Sequence, residues 1–129
     1  MRTKLLLLSS ILMLLAVAGA YGQTLVKSNV PFQFIAAGKT LPAGSYAFIH
    51  DTAGELIKVV GTAKDATALV PIITRLGAAI HTTKQDTHLV FDQVGAVYTL
   101  SEIWVPGQDG LMVAATKGKH EHKTIDVPR

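Results

Sequence analysis

Apolar and polar residues alternate over short stretches from residue 23 onward, and turn residues separate the stretches. A period of two is typical of half-buried β-strands, and no stretch here keeps the 3.6-residue period of an amphipathic helix. We therefore predict an all-β domain, a single antiparallel β-sandwich or small barrel of about seven to eight short strands. The alternating stretches are residues 30–34, 45–50, 55–60, 67–75, 87–92, 96–105 and 111–116.

Glycine, proline and aspartate mark the breaks between these stretches. The clusters at 38–44, 51–54 and 106–110 predict turns, and a hairpin turn is expected at 93–95. Residues 76–86 fit either a loop or a short strand. Pro31 cannot donate to a sheet ladder, so an edge strand is expected near it or at 111–115, where a second chain could pair.

Residues 1–22 have the form of a secretory signal peptide. Arg2 and Lys4 precede an apolar segment, and small residues then allow cleavage after Ala20 or after Gly22. The alternative is an uncleaved membrane anchor, but the apolar segment is shorter than the roughly 20 residues that span a bilayer. We expect export to the periplasm or the cell exterior. The mature single β domain would cover residues 23–129, with a charged C-terminal stretch and no stable membrane span.

The overall charge of +3 and the pI near 9.3 include the basic residues of this segment, so they overstate the charge of the predicted mature domain. Removing Arg2 and Lys4 from 12 basic residues leaves 10 against 9 acidic ones, a net charge of +1. That balance gives no reason to expect a nucleic-acid partner. The chain has no cysteine, which excludes disulfides, iron–sulfur clusters and thiolate zinc sites.

Several motifs resemble an uncharacterised family of small secreted bacterial proteins. Val30-Pro31-Phe32-Gln33-Phe34 and then Gly38-Lys39-Thr40-Leu41-Pro42-Ala43-Gly44-Ser45-Tyr46 follow its opening pattern, V-P-F-x-F and G-K-x-L-P-A-G-x-Y. Similar stretches recur at 89–91, 98–101 and 103–107, so the resemblance covers most of the predicted mature chain. It implies export and a compact β domain, and it implies no established activity.

The 96–105 stretch leaves its inward face undecided. Tyr98, Leu100 and Trp104 share one parity, but Glu102 lies among them, and apolar residues also occupy the other parity. Either both faces are partly covered, or a β-bulge shifts the register within the strand.

His120-x-His122 is the sharpest chemical feature of the sequence. In an extended segment both imidazoles lie on one face, where they could hold a zinc or copper ion. The expected third ligand is His81, His88 or Glu102. Lys117, Lys119 and Lys123 would repel a dication, so a solvated charged ending is the competing interpretation.

Catalytic motifs are scarce. No nucleophile elbow, phosphate-binding loop or zinc-protease string occurs, and the only carboxylate grouping that we consider joins Asp86, Asp92 and Glu102. We therefore predict a secreted, non-enzymatic β domain with an interaction or structural role towards a protein or surface partner. The alternative is a divalent metal-binding protein that uses His120 and His122, with no other cofactor.

Overall fold

A computed structural model describes residues 23–77 and 86–128. The described residues are all-β, as predicted, and contain no helix that could span a membrane. They form eleven strands: β1 (Gln23–Val30), β2 (Phe34–Ala36), β3 (Lys39–Leu41), β4 (Gly44–Asp51), β5 (Leu56–Gly61), β6 (Thr67–Pro71), β7 (Thr74–Leu76), β8 (His88–Val94), β9 (Val97–Trp104), β10 (Gly110–Met112) and β11 (Glu121–Asp126). The predicted signal peptide and part of the ambiguous 76–86 segment lie outside the described residues.

The strands form two sheets. The first has the order β1-β4-β5-β6 and is antiparallel throughout. The second has the order β11-β8-β9-β10-β7, and the β2–β3 hairpin joins it through a parallel contact between Ile35 and Thr99. The count exceeds the predicted seven to eight because β2, β3, β7 and β10 have three residues each, too few to establish a period.

The core lies between the sheets and is built from the alternate positions of their long strands. Phe34 joins the two sheets, since its ring makes edge contacts with Tyr46 of β4 at 5.1 Å and with Phe91 of β8 at 5.4 Å between centroids. Such aromatic pairs add to the free energy gained by burial. The fully buried side chains include Phe34, Leu41, Phe48, Ile57, Val59, Val70, Leu89, Phe91, Leu100 and Ile103.

A β-bulge at Ser101 determines which side chains of β9 face the core. Val90 pairs with Glu102, whereas the next residue, Phe91, pairs with Leu100, so Ser101 is the extra residue. Leu100 therefore faces the core, while Trp104 lies on the other face. We call this other face of the second sheet, which also carries Val90, the outer face. The structure shows both alternatives that the sequence left open, because the bulge shifts the register and the outer face is also partly covered, with Val90 and Trp104 buried there in a second cluster.

The edge-strand expectation is wrong for residues 111–115. Leu111 pairs with Ile103 on one side and with Arg75 on the other, so β10 is an interior strand. The chain beyond it is held by the bulge, since the Val113 amide donates to the Ser101 carbonyl at 2.7 Å and Ser101 Oγ donates to the Ala114 carbonyl at 3.1 Å. The described strands with one free edge include β1, β6, β7 and β11.

The Leu41-Pro42-Ala43-Gly44-Ser45-Tyr46 motif has a structural explanation. The Tyr46 hydroxyl donates a hydrogen bond back to the Pro42 carbonyl, which fixes the turn between β3 and β4. Desolvation by burial raises the pKa of Tyr46. The neutral phenol is therefore the form that the fold favours.

We expect Tyr46→Phe to lower the free energy of unfolding by about 1 kcal/mol, because the fold loses the part-buried hydrogen bond from the Tyr46 hydroxyl to the Pro42 carbonyl. Since the pKa of Tyr46 is higher in the folded state, its contribution is complete below the ordinary tyrosine value of about 10 and is lost as pH rises through the raised value. Urea unfolding at neutral and alkaline pH measures both effects. Tyr98→Phe is the matched control, and an equal or larger alkaline effect there would contradict the assignment.

Candidate metal centre

The pairing of β8 with β11 brings the C-terminal histidines to a carboxylate. His122 lies directly opposite Asp92 in the antiparallel register, and both side chains are on the outer face. Directly opposed residues on one face of a sheet have Cβ atoms about 5 Å apart. His120 lies just before β11 and reaches the same carboxylate. The predicted His120 and His122 therefore do converge, and their shared partner is Asp92.

Three potential ligand atoms face one another at this point. Asp92 Oδ1 lies 3.1 Å from His122 Nδ1 and 3.7 Å from His120 Nε2. One ligand atom from each of the three residues lies within 4.8 Å of the others. The two imidazole rings meet edge to face, with centroids 5.0 Å apart and planes at 85°.

Asp92 is buried with an unpartnered oxygen. Its side chain is only 3% exposed, and Oδ1 accepts no hydrogen bond. The nearest imidazole nitrogen, His122 Nδ1, lies 3.1 Å away without forming a hydrogen bond to it. A buried carboxylate without a hydrogen-bond partner costs free energy unless a cation compensates it. The geometry thus leaves this oxygen aimed at a space bordered by two imidazoles.

His120 is held in the orientation that a metal ligand needs. Its Nδ1 lies 2.9 Å from the Gly118 carbonyl, and Gly118 has a φ of 86° that suits glycine. A carbonyl can only accept, so Nδ1 donates to it, and Nε2 is the ring nitrogen that lies towards Asp92 and could bind a metal ion. Metal-bound histidines commonly donate their second ring nitrogen in this way.

The three groups suit a transition-metal ion. For metal–ligand bonds of 2.0–2.1 Å, tetrahedral ligands are about 3.3 Å apart, and the distances of 3.1 and 3.7 Å lie on either side of that value. Two imidazoles and a carboxylate fit zinc and copper, and three protein ligands leave a further position open. His122 is 57% exposed, so that position is reachable from solvent.

Of the expected third ligands, His88 and Glu102 do not join this group. His88 is at the other end of β8, where it stacks on Trp104 and its Nδ1 lies 2.7 Å from the Asp86 carbonyl. Glu102 accepts a hydrogen bond from Trp104 Nε1 at 2.9 Å. His81 lies outside the described residues. Sequence reasoning missed Asp92 as a ligand because only the β8–β11 register reveals its proximity.

Two of the three carboxylates that we considered for a hydrolase share one face of the sheet. Asp92 and Glu102 lie on the outer face of the neighbouring strands β8 and β9, where Asp92 faces the histidines and Glu102 accepts a hydrogen bond from Trp104. Asp86 borders a surface groove beside Asp126 at the opposite end of β8. Asp86 is therefore apart from the other two.

Comparisons with known proteins add no relative. The chain matches no protein-family profile, no curated protein and no solved structure. Membership of the secreted bacterial family stays a prediction from its motifs.

We expect Asp92→Asn to leave the metal-free protein at least as stable as the original, because it removes a buried negative charge whose Oδ1 accepts no hydrogen bond. Urea unfolding in the presence of a chelator measures this. Asp109→Asn, in the exposed turn before β10, is the matched control and should change stability by less than about 0.5 kcal/mol. A loss of several kcal/mol specific to Asp92→Asn would show that the carboxylate stabilises the metal-free fold.

Proposed function

We propose that this protein is an exported β domain that binds one divalent transition-metal ion through Asp92, His120 and His122. The observation that carries the proposal is the buried Asp92 oxygen, which has no hydrogen-bond partner and faces two imidazole nitrogens. A bound cation supplies the charge compensation that this oxygen lacks. Zinc and copper(II) are the candidate ions, since both accept imidazole and carboxylate ligands.

The lysines of the C-terminal stretch are compatible with this site. Lys123 pairs with Phe91, one position along β11 from His122, so its side chain leaves on the opposite face. Lys117 and Lys119 are exposed and their charges are screened by solvent. The repulsion expected from the sequence is therefore weaker than the spacing alone indicated.

A bound ion would also stabilise the pairing of the C-terminal strand β11 with β8. Five of the six β11 residues, 121–124 and 126, are exposed, and Ile125 is the member of the strand that packs against the core. Two ligands come from this segment and the third comes from β8. Because the complete ligand set requires β11 to be docked, metal binding adds its free energy to that docking. The ion would thus help to hold the C-terminal strand against the sheet.

Calorimetric titration of the protein with Zn²⁺ and with Cu²⁺ tests the proposal. We expect one ion per chain and a higher melting temperature on loading, because the ion binds the folded form. The His120→Ala/His122→Ala double variant should weaken binding about 100-fold or more, since two of three ligands are lost. Asp92→Asn should also weaken binding.

Glu121→Gln is the matched control for this titration. Glu121 lies between the two histidines in sequence but pairs with Gln93 and points to the opposite face. Its substitution should leave the affinity unchanged. Equal affinities in the original protein and in the double-histidine variant would refute the site.

We also propose that residues 1–22 direct export and are removed. The support is the basic start, the apolar segment and the small residues near position 20. We expect N-terminal sequencing of the protein recovered from a secreting bacterial host to begin at Tyr21 or Gln23. Replacing Ala18 and Ala20 by bulky residues should move or block cleavage after Ala20. Recovery of the chain in the cytoplasm with Met1 intact would contradict export.

A further inference from the structure

Two exposed valines lie beside the candidate metal centre on the outer face. Val94 and Val97 pair across the β8–β9 hairpin, and each is two residues from a member of the Asp92–Thr99 pair. A spacing of two keeps side chains on one face of a strand. Each valine is 50% exposed, and they are two of the four exposed large hydrophobic residues in the described part of the chain.

A groove adjoins one of these valines, Val97. It has a volume of about 380 Å³, and its lining combines Ile35, Thr40 and Val97 with the stacked rings of Phe32 and Tyr98. This size falls within the range of small-molecule sites. Ile35 pairs with Thr99, which pairs with Asp92, so the groove begins two strands away from the carboxylate. At strand spacings of about 4.8 Å, the separation along the sheet is about 10 Å.

The net charge of the metal-bound centre indicates which kind of ligand would occupy its open coordination position. A divalent ion held by two neutral imidazoles and one carboxylate keeps one net positive charge and an open coordination position. The exposed Lys117 and Lys119 precede the site and have the same sign. The open position therefore attracts an anionic head group, whereas the adjacent groove is bordered by Val97 and Ile35.

We infer that the metal-loaded domain binds small amphipathic monocarboxylates, an inference that rests on the proposed metal site. The carboxylate occupies the open position of the ion. The hydrocarbon chain crosses Thr99 and enters the groove between Val97 and Ile35. In this arrangement one ligand spans the centre and the groove.

Titration of the zinc-loaded protein with octanoate and acetate tests this inference. Octanoate should bind about tenfold tighter than acetate or better, because the added methylenes are buried in the groove. Val97→Thr keeps the side-chain shape and should remove about threefold or more of that preference, with the zinc affinity unchanged. Leu69→Thr on the first sheet replaces an equally exposed residue and is the matched control. His122→Ala should abolish the preference with the zinc site.

The outcomes separate this inference from the metal site itself. Zinc binding with equal affinities for octanoate and acetate would overturn the amphipathic ligand and leave the proposed function standing. Failure to bind zinc would overturn both. Octanoate binding that is equally tight without zinc would show that the ion does not hold the head group, and would overturn the inference.

Discussion

The β8–β9 pairing, with its bulge at Ser101, is the constraint on which the rest of the structure depends. One extra residue in β9 lets Leu100 and Ile103 both face the core, although their positions differ in parity. The same shift leaves Thr99 and Glu102 on the outer face. A strand without the bulge would bury one apolar set and expose the other. The bulge thus supplies both the core and the outer face that carries the candidate centre.

Asp92 is a candidate metal ligand whose position is set by the packing of its strand, β8. It follows the buried Phe91 on β8 and is itself buried, although its side chain is on the outer face. The strand cannot shift to expose it without displacing Phe91, because a one-residue slip exchanges the two faces. The fold therefore keeps a buried carboxylate beside His120 and His122, at a free-energy cost that packing alone does not remove.

Much of the fold could be predicted from the sequence because its signals are local. The period-two alternation predicts the long strands. The spacing of two between His120 and His122 predicts that both imidazoles lie on one face of an extended segment. Asp92 could not be assigned as a ligand, since β8 and β11 are separated by more than 25 positions and their register depends on the whole sheet. The three-residue strands could not be predicted for another reason. Their conformation depends more on pairing with neighbouring strands than on the pattern of their own residues.

The position of β11 explains why a weakly buried ending can carry a defined site. Its pairing with β8 supplies backbone order, and Ile125 supplies an apolar anchor at the end away from His120. The anchored end sets the register, so His122 meets Asp92 even though it is more than half exposed itself. The Gly118 carbonyl then orients His120 independently of the ladder. Two local devices, a strand register and a turn carbonyl, thus converge on one carboxylate oxygen, and this convergence distinguishes the site from a chance cluster of charged residues at a chain end.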